Sequence, residues 1–206
     1  EIKFQEHHEI TAINGTTITF KEPIHKAINS NYSWTLKTFN FLENVGFEHI
    51  KYIGDVPLPF NHHADFVYSG YPAQEAWKYD SGWSGIQFNY VKNGWIANNQ
   101  FVNMSNSARI KTSTNCIAMH NTYDSTFTDS NYETGHSFIS TEEASNNLIG
   151  KNYDNSNGGV HHSCGFGSRS IGNVLWRNES PQNEHTGIEL DHNRRRKNQK
   201  MQKVYQ

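Results

Sequence analysis

The sequence predicts an all-β chain wound as a right-handed parallel β-helix, with a long loop insertion and an N-terminal β-hairpin. Three observations predict it. No long segment holds a helical period; short runs rich in β-branched and aromatic residues are broken by Asn, Gly and Ser about every ten residues; and a weak repeat of about 22 residues returns an aromatic to the same place in each unit.

The opening ITAINGTTITFKEPIHKAIN sets Asn14-Gly15 between two alternating runs, a hairpin turn, so residues 1–41 read as a hairpin and lead-in beside the first coil. The repeat then shows in NVGFEHIKY (Asn44 to Tyr52), NGWIANNQF (Asn93 to Phe101), NCIAMHNTY (Asn115 to Tyr123), NLIGKNY ending at Tyr153, and SIGNVLW ending at Trp176. The closing aromatics lie 49, 22, 30 and 23 residues apart, where 30 is one coil with an eight-residue loop and 49 holds the insertion from Pro57 to Trp83. Phe101, Tyr123, Tyr153 and Trp176 are therefore expected to pile in one interior file.

A second series of strands starts GIQFNY (Gly85), SARIKT (Ser107), HSFIST (His136), VHHSCG (Val160) and TGIELD (Thr186). Its first members alternate apolar and polar residues, the pattern of a strand with one buried face. Stacked coils with equivalent residues ~4.8 Å apart satisfy both series. An antiparallel β-sandwich offers the same short strands but no register of aromatics from unit to unit. Residues 1–193 form the domain, with an inserted loop at 57–83, and 194–206 is a tail. Neither end shows a cap of the kind stacked repeats need, so the expectation is a segment of a longer protein.

Composition narrows the class. Aromatics reach 13%, too many for a disordered chain, while hydrophobic residues are only 34%, which implies a thin core under a polar skin. The net charge of -2 is uneven, because Arg194, Arg195, Arg196, Lys197, Lys200 and Lys203 form a tail without an acid. That tail could attract phosphate, but no nucleic-acid-binding fold accompanies it, and a solvated terminus is the plainer reading. No apolar run is long enough to span a membrane and the first residues are not a signal peptide. Cys116 and Cys164 fall at different points of their coils and read as buried free thiols.

The coil pattern, with HHSCGFGSRSIGNVLWRN followed by HTGIELDHN, resembles the right-handed parallel β-helix proteins of the pectin-lyase-like superfamily, of the bacterial polysaccharide-degrading type. The resemblance covers about Phe41 to Asn193; RRRKNQKMQKVYQ departs from it. It implies a glycan ligand and a secreted, periplasmic or cell-surface location. The superfamily includes lyases, hydrolases, epimerases and adhesins that catalyse nothing, so the fold alone does not fix the reaction.

Aligning Ile86-Gln87-Phe88, Ala108-Arg109-Ile110 and Phe138-Ile139-Ser140 makes Gln87, Arg109 and Ile139 an outward column, continued by His161 or His162 and by Glu189. Asn89, Lys111, Thr141 and Asp191 form the next. A sugar chain along this strip is the expected substrate, with no nucleic acid, no membrane and a monomer as the remaining expectations. Hydrolysis needs two carboxyl groups across one bond; Glu142 and Glu189, two rungs or ~10 Å apart, suit inversion, although Glu142 and Glu143 also read as solvated turn residues. A lyase needs a cation for the uronate and a base: Arg109, Lys111 and Arg169 offer charge, and His161, His162 or Tyr132 the base. Exposed strand cations are commonly only solvated.

Further substrate contacts are expected from His192, from His63 in the insertion, and from Trp77, Tyr79 and Trp83, which either stack on sugars or pack on the flank. No cofactor is required; Ca²⁺ is an option through Asp124, Asp154 or Glu142. Zinc through His161, His162, His185 and His192 lacks a supporting motif. Because strand neighbours diverge, His161 and His162 should face opposite ways, one lining the groove and the other structural, unless the backbone bulges. The chain reads as a glycoside hydrolase or polysaccharide lyase, with a glycan-binding or adhesin segment as the alternative.

Overall fold

The computed structural model describes residues 5–56, 60, 82–129, 133–181 and 188–190, the last three by their backbone alone. In chain order the strands are β1 (Ile10–Asn14), β2 (Thr17–Phe20), β3 (Leu42–Glu43), β4 (Gly46–Glu48), β5 (Lys51–Ile53), β6 (Ser84–Asn89), β7 (Val91–Lys92), β8 (Trp95–Ala97) and β9 (Gln100–Val102). They continue with β10 (Asn106–Lys111), β11 (Ile117–Met119), β12 (Thr122–Asp124), β13 (Ser137–Glu142), β14 (Leu148–Gly150), β15 (Tyr153–Asp154), β16 (His162–Phe166), β17 (Val174–Trp176) and β18 (Ile188–Leu190).

β1 and β2 form the expected antiparallel hairpin, turned at Gly15 with φ of 59°. The remaining described pairings are parallel. A long sheet runs β18-β16-β13-β10-β6, a second β17-β14-β11-β8-β4 and a third β15-β12-β9-β5. β3 pairs with β7, and bridges at Thr114, Ser145 and Ile171 continue their line. Each pass of the chain visits the sheets in the same order and lays its strand beside that of the pass before.

The corners explain where the Asn and Gly fall. Asn44, Asn93, Asn115, Asn146 and Gly172 share one corner, His49, Asn98, His120, Lys151 and Arg177 a second, and Tyr90, Thr112, Glu143 and Arg169 a third, all with φ between 45° and 70°. Asn reaches this left-handed region more readily than most residues, because its short polar side chain bonds the local backbone.

The aromatic file is shorter than the spacing predicts. Tyr52, Phe101 and Tyr123 stand in register, with Tyr52 stacked on Phe101 at 5.0 Å and 11°. Tyr153 instead aligns with Thr122 and is 37% exposed, while buried Asp154 takes the next interior place. Trp176 belongs to the second sheet, opposite Gly150. From His120 to the equivalent Lys151 the pass is 31 residues long, one more than the aromatics implied, and a single residue exchanges the faces of a strand.

Asparagines hold the register that the aromatics do not. Asn99, Asn121, Asn152 and Asn178 form a ladder in which the Oδ1 of each of the last three accepts the backbone N–H and Nδ2 of the asparagine before it, and Asn99 Oδ1 accepts the Ile50 N–H. Each Nδ2 also donates to a carbonyl of the pass before, as from Asn121 to Ile96 O at 2.9 Å. Asn147 and Asn173 repeat the device at the first corner. Polar groups buried this way are satisfied, whereas each one left unmet costs ~1–3 kcal/mol.

Apolar files fill the space between the sheets. Ile96, Ala118, Ile149 and Leu175 lie in register, and Phe47, which heads that file in the first pass, is 43% exposed at the open end. Cys116 and Cys164 are buried and unbridged as expected. Burial pushes the Cys116 thiol up to about 11 and that of Cys164 higher still, so neither is a ready nucleophile.

The lead-in does not stay beside the first pass. Phe39 stacks on Tyr90, Lys92 pairs with Glu9 at 2.9 Å, the His7 amide donates to Ser145 Oγ at 3.1 Å, and the Gln5 amide donates to Arg169 O. It is a strap across the passes.

Candidate active site at the histidine corner

The outward face of the long sheet differs by one residue from the sequence alignment. Gln87, Arg109, Ser140, Gly165 and Glu189 are in register, as are Asn89, Lys111 and Glu142. Ile139 and Thr141, expected outside, are fully buried. The cause lies one step earlier: Phe138 and Ile139 are both in the core, Phe138 against Phe101 and Tyr123, so alternation fails just after the bend at His136.

The same shift moves the histidines. The fourth place in the Arg109 column is Gly165; His162 aligns with Ser137 and Asn106, three residues or ~10 Å back along the strand. His161 and His162 therefore do not share a column with Glu189. Nor do they diverge, since their ring centroids are 4.2 Å apart. His136 completes the group, 5.2 Å from His162 and 6.4 Å from His161. A bend at the start of β16 lets neighbouring residues turn to one side.

Glu133 supports this cluster, its Oε1 2.5 Å from His161 Nδ1. The Phe60 amide donates to Glu133 O, tying the chain of the insertion to the same place. Tyr123 anchors the loop from within: its hydroxyl lies 2.9 Å from Met104 O and 2.7 Å from Thr134 O. Below, Asp154 accepts from Ser156, Val160 and Ser180, and burial raises its carboxyl above the usual range despite those bonds.

All of this sits where the chain passes from the third sheet to the long sheet, the step that carries the insertion after β5 and the loops after β12 and β15. Trp83, 43% exposed, is at this edge: its carbonyl accepts from Ser105, which stands one pass before His136. Sequence reasoning missed His136 and Glu133. His136 opens the quoted HSFIST, and correct registration of Ser137 with His162 would have set it beside His161.

Other expected residues are not gathered here. Arg169 follows β16, at the far end of the strand from His162, and pairs with Glu143. Glu142 pairs with Lys111 at 3.3 Å, both partly exposed, a contact worth ~0–1 kcal/mol that a stronger anion can displace. Asp124 accepts from Gln100 and Asn155, apart from Glu142, so the three oxygen ligands suggested for Ca²⁺ form no single set. Among the described residues no group of three or more His, Cys, Asp or Glu is placed to hold a metal. His63, Trp77, Tyr79, Tyr132, His185, Asp191, His192, the tail and the side chain of Glu189 lie outside the described residues. Among the described residues no helix is long and apolar enough to cross a membrane.

Chemically, the corner offers an imidazole held by a carboxylate, two further imidazoles in contact with it, an exposed indole, and a polar sheet face with two cations. Comparison with protein-family models, curated proteins and solved structures finds no match for this chain.

Proposed function

We propose that the chain is a right-handed parallel β-helix of the pectin-lyase-like kind that cleaves a uronate-bearing polysaccharide by β-elimination. The fixed visiting order of the sheets and the corner columns support the winding. The observation that carries the function is the packing of His136, His161 and His162 into one cluster, with Glu133 on His161, beside the face bearing Arg109.

When Nδ1–H of His161 donates to Glu133, Nε2 is left as the basic nitrogen, and the carboxylate stabilises the imidazolium that forms. That base takes the proton α to the uronate carboxylate, and Arg109, farther along the face, opposes the charge of the acidic chain. The electron pair forms the ring double bond as the glycosidic oxygen leaves, protonated by a neighbouring imidazole. Hydrolysis by Glu142 and Glu189 has less support, because the two do not share a column: Glu142 aligns with Lys111, and Glu189 with Gly165 and Ser140. A polysaccharide substrate fits a protein exported to the cell surface or beyond.

The test is product chemistry on neutral, sulfated and uronic polysaccharides. New reducing ends with the ultraviolet absorbance of an unsaturated uronate support elimination; new ends without it overturn it in favour of hydrolysis. Binding without new ends supports the second reading, a glycan-binding module, which the exposed Trp83 at the histidine edge favours.

A further inference from the structure

The corners are unequal. At the corner before the second sheet every left-handed position is Asn or Gly. At the corner between the second and third sheets only Asn98 keeps that choice; His49, His120, Lys151 and Arg177 hold the others, and all five are exposed. Non-Asn residues also hold the third corner, at Tyr90, Thr112, Glu143 and Arg169, so the conformation alone assigns no use; Lys151 and Arg177 are set apart by the neighbour they share.

Successive passes set these side chains in a line, ~4.8 Å apart. Trp176 orders the last two: Lys151 Nζ is 5.0 Å and Arg177 Cζ 5.3 Å from its ring centroid, so two flexible cations are held over one indole. A groove of about 300 Å³ opens beside them, lined by Lys151, Asn152, Tyr153, Arg177 and Glu179.

We infer that this corner is a binding track for a linear polysaccharide carrying carboxylate groups, separate from the histidine corner. The two cations meet the charges of such a chain, exposed Tyr153 presents its ring to a sugar, and Glu179 accepts from hydroxyl groups. A nucleic acid would meet the same two cations, and the band-shift arm below separates it from a polysaccharide. The choice of a polysaccharide rests on the function proposed above; the pair of cations over Trp176 does not.

Affinity electrophoresis of the whole chain through gels containing polygalacturonate, alginate or neutral dextran, with a band-shift assay on single-stranded DNA, tests the track. The variant Lys151→Asn/Arg177→Asn installs the residue that stands at Asn98 on the same corner and adopts the left-handed conformation readily, so its thermal unfolding should match the wild type; each single exchange serves as a second variant. The expected result is retardation of the wild type by an acidic polymer and not by dextran, weakened by salt, and about tenfold weaker in the double variant. Unchanged retardation in the variants, no retardation by either acidic polymer, or tighter binding to DNA would overturn the track. His161→Ala separates the two sites: lost cleavage with retained retardation supports both, whereas absence of cleavage in the wild type with retardation sensitive to Lys151 and Arg177 supports the track and overturns the enzyme.

Discussion

Asn121 Nδ2 donates to Asn152 Oδ1 at 2.9 Å, and the Asn121 backbone amide donates to the same oxygen at 3.0 Å. The two residues are 31 apart in sequence, and both are buried. One side chain thus fixes the vertical register of two passes.

Replacing Asn121 by Ala removes the acceptor of the Asn99 amide and the donor to Ile96 O, leaving buried polar groups unmet. The expected loss is about 3 kcal/mol in chemical denaturation. Gln87→Ala, on the exposed face, should stay within about 0.5 kcal/mol. Equal losses in both would remove the ladder from the account.

Tyr123→Phe keeps the buried ring and deletes the hydroxyl shared by Met104 O and Thr134 O. A stability loss of about 1–2 kcal/mol is expected. Because Thr134 lies two residues before His136, turnover should fall with it. A melting curve and rate identical to wild type would show that this hydroxyl anchors nothing.

His161→Ala should lower turnover by about 10²–10⁴, the range of a general base, with little change in KM. Glu133→Gln retains an oxygen acceptor but not its charge, and a smaller loss with an altered pH–rate profile is expected. An unchanged profile would leave Glu133 as a packing residue.

The strap has its own pH dependence. Burial, and then the neighbouring His8, lower the pKa of His7 from 6.5 to about 4. With the folded value below the unfolded one, the contribution to stability is full above 6.5 and is lost as pH falls toward about 4. The loss is at most about 3 kcal/mol. Hydrogen-exchange protection of the His7 amide should fall over that window and become flat in His7→Gln; equal acid sensitivity in the two would assign the effect elsewhere.

Much of the fold was legible because one corner of each pass writes itself as Asn or Gly and the hairpin as Asn14-Gly15. The period of 22 residues was readable where Asn93 and Asn115 follow without an insertion. Register was not readable past Asp124. There the loop changes length, Tyr153 stands one place from the interior file, and Asp154, a residue no apolar pattern marks, fills it. The site inherited that slip. His161 and His162 stood out as a pair, but placing them beside His136 required knowing that Ser137 opposes His162 and that the chain bends at His136 and His161.

Whether His136 and His161 occupy the same edge on consecutive passes can be measured by exchanging both for cysteine, oxidising the folded chain mildly and mapping disulfide-linked peptides by mass. Adjacent parallel strands bring such Cα atoms within the ~4.4–6.8 Å that a disulfide spans. The account predicts a linked 136–161 peptide pair in a chain that keeps its wild-type melting curve. A folded chain in which both new thiols stay free would contradict it.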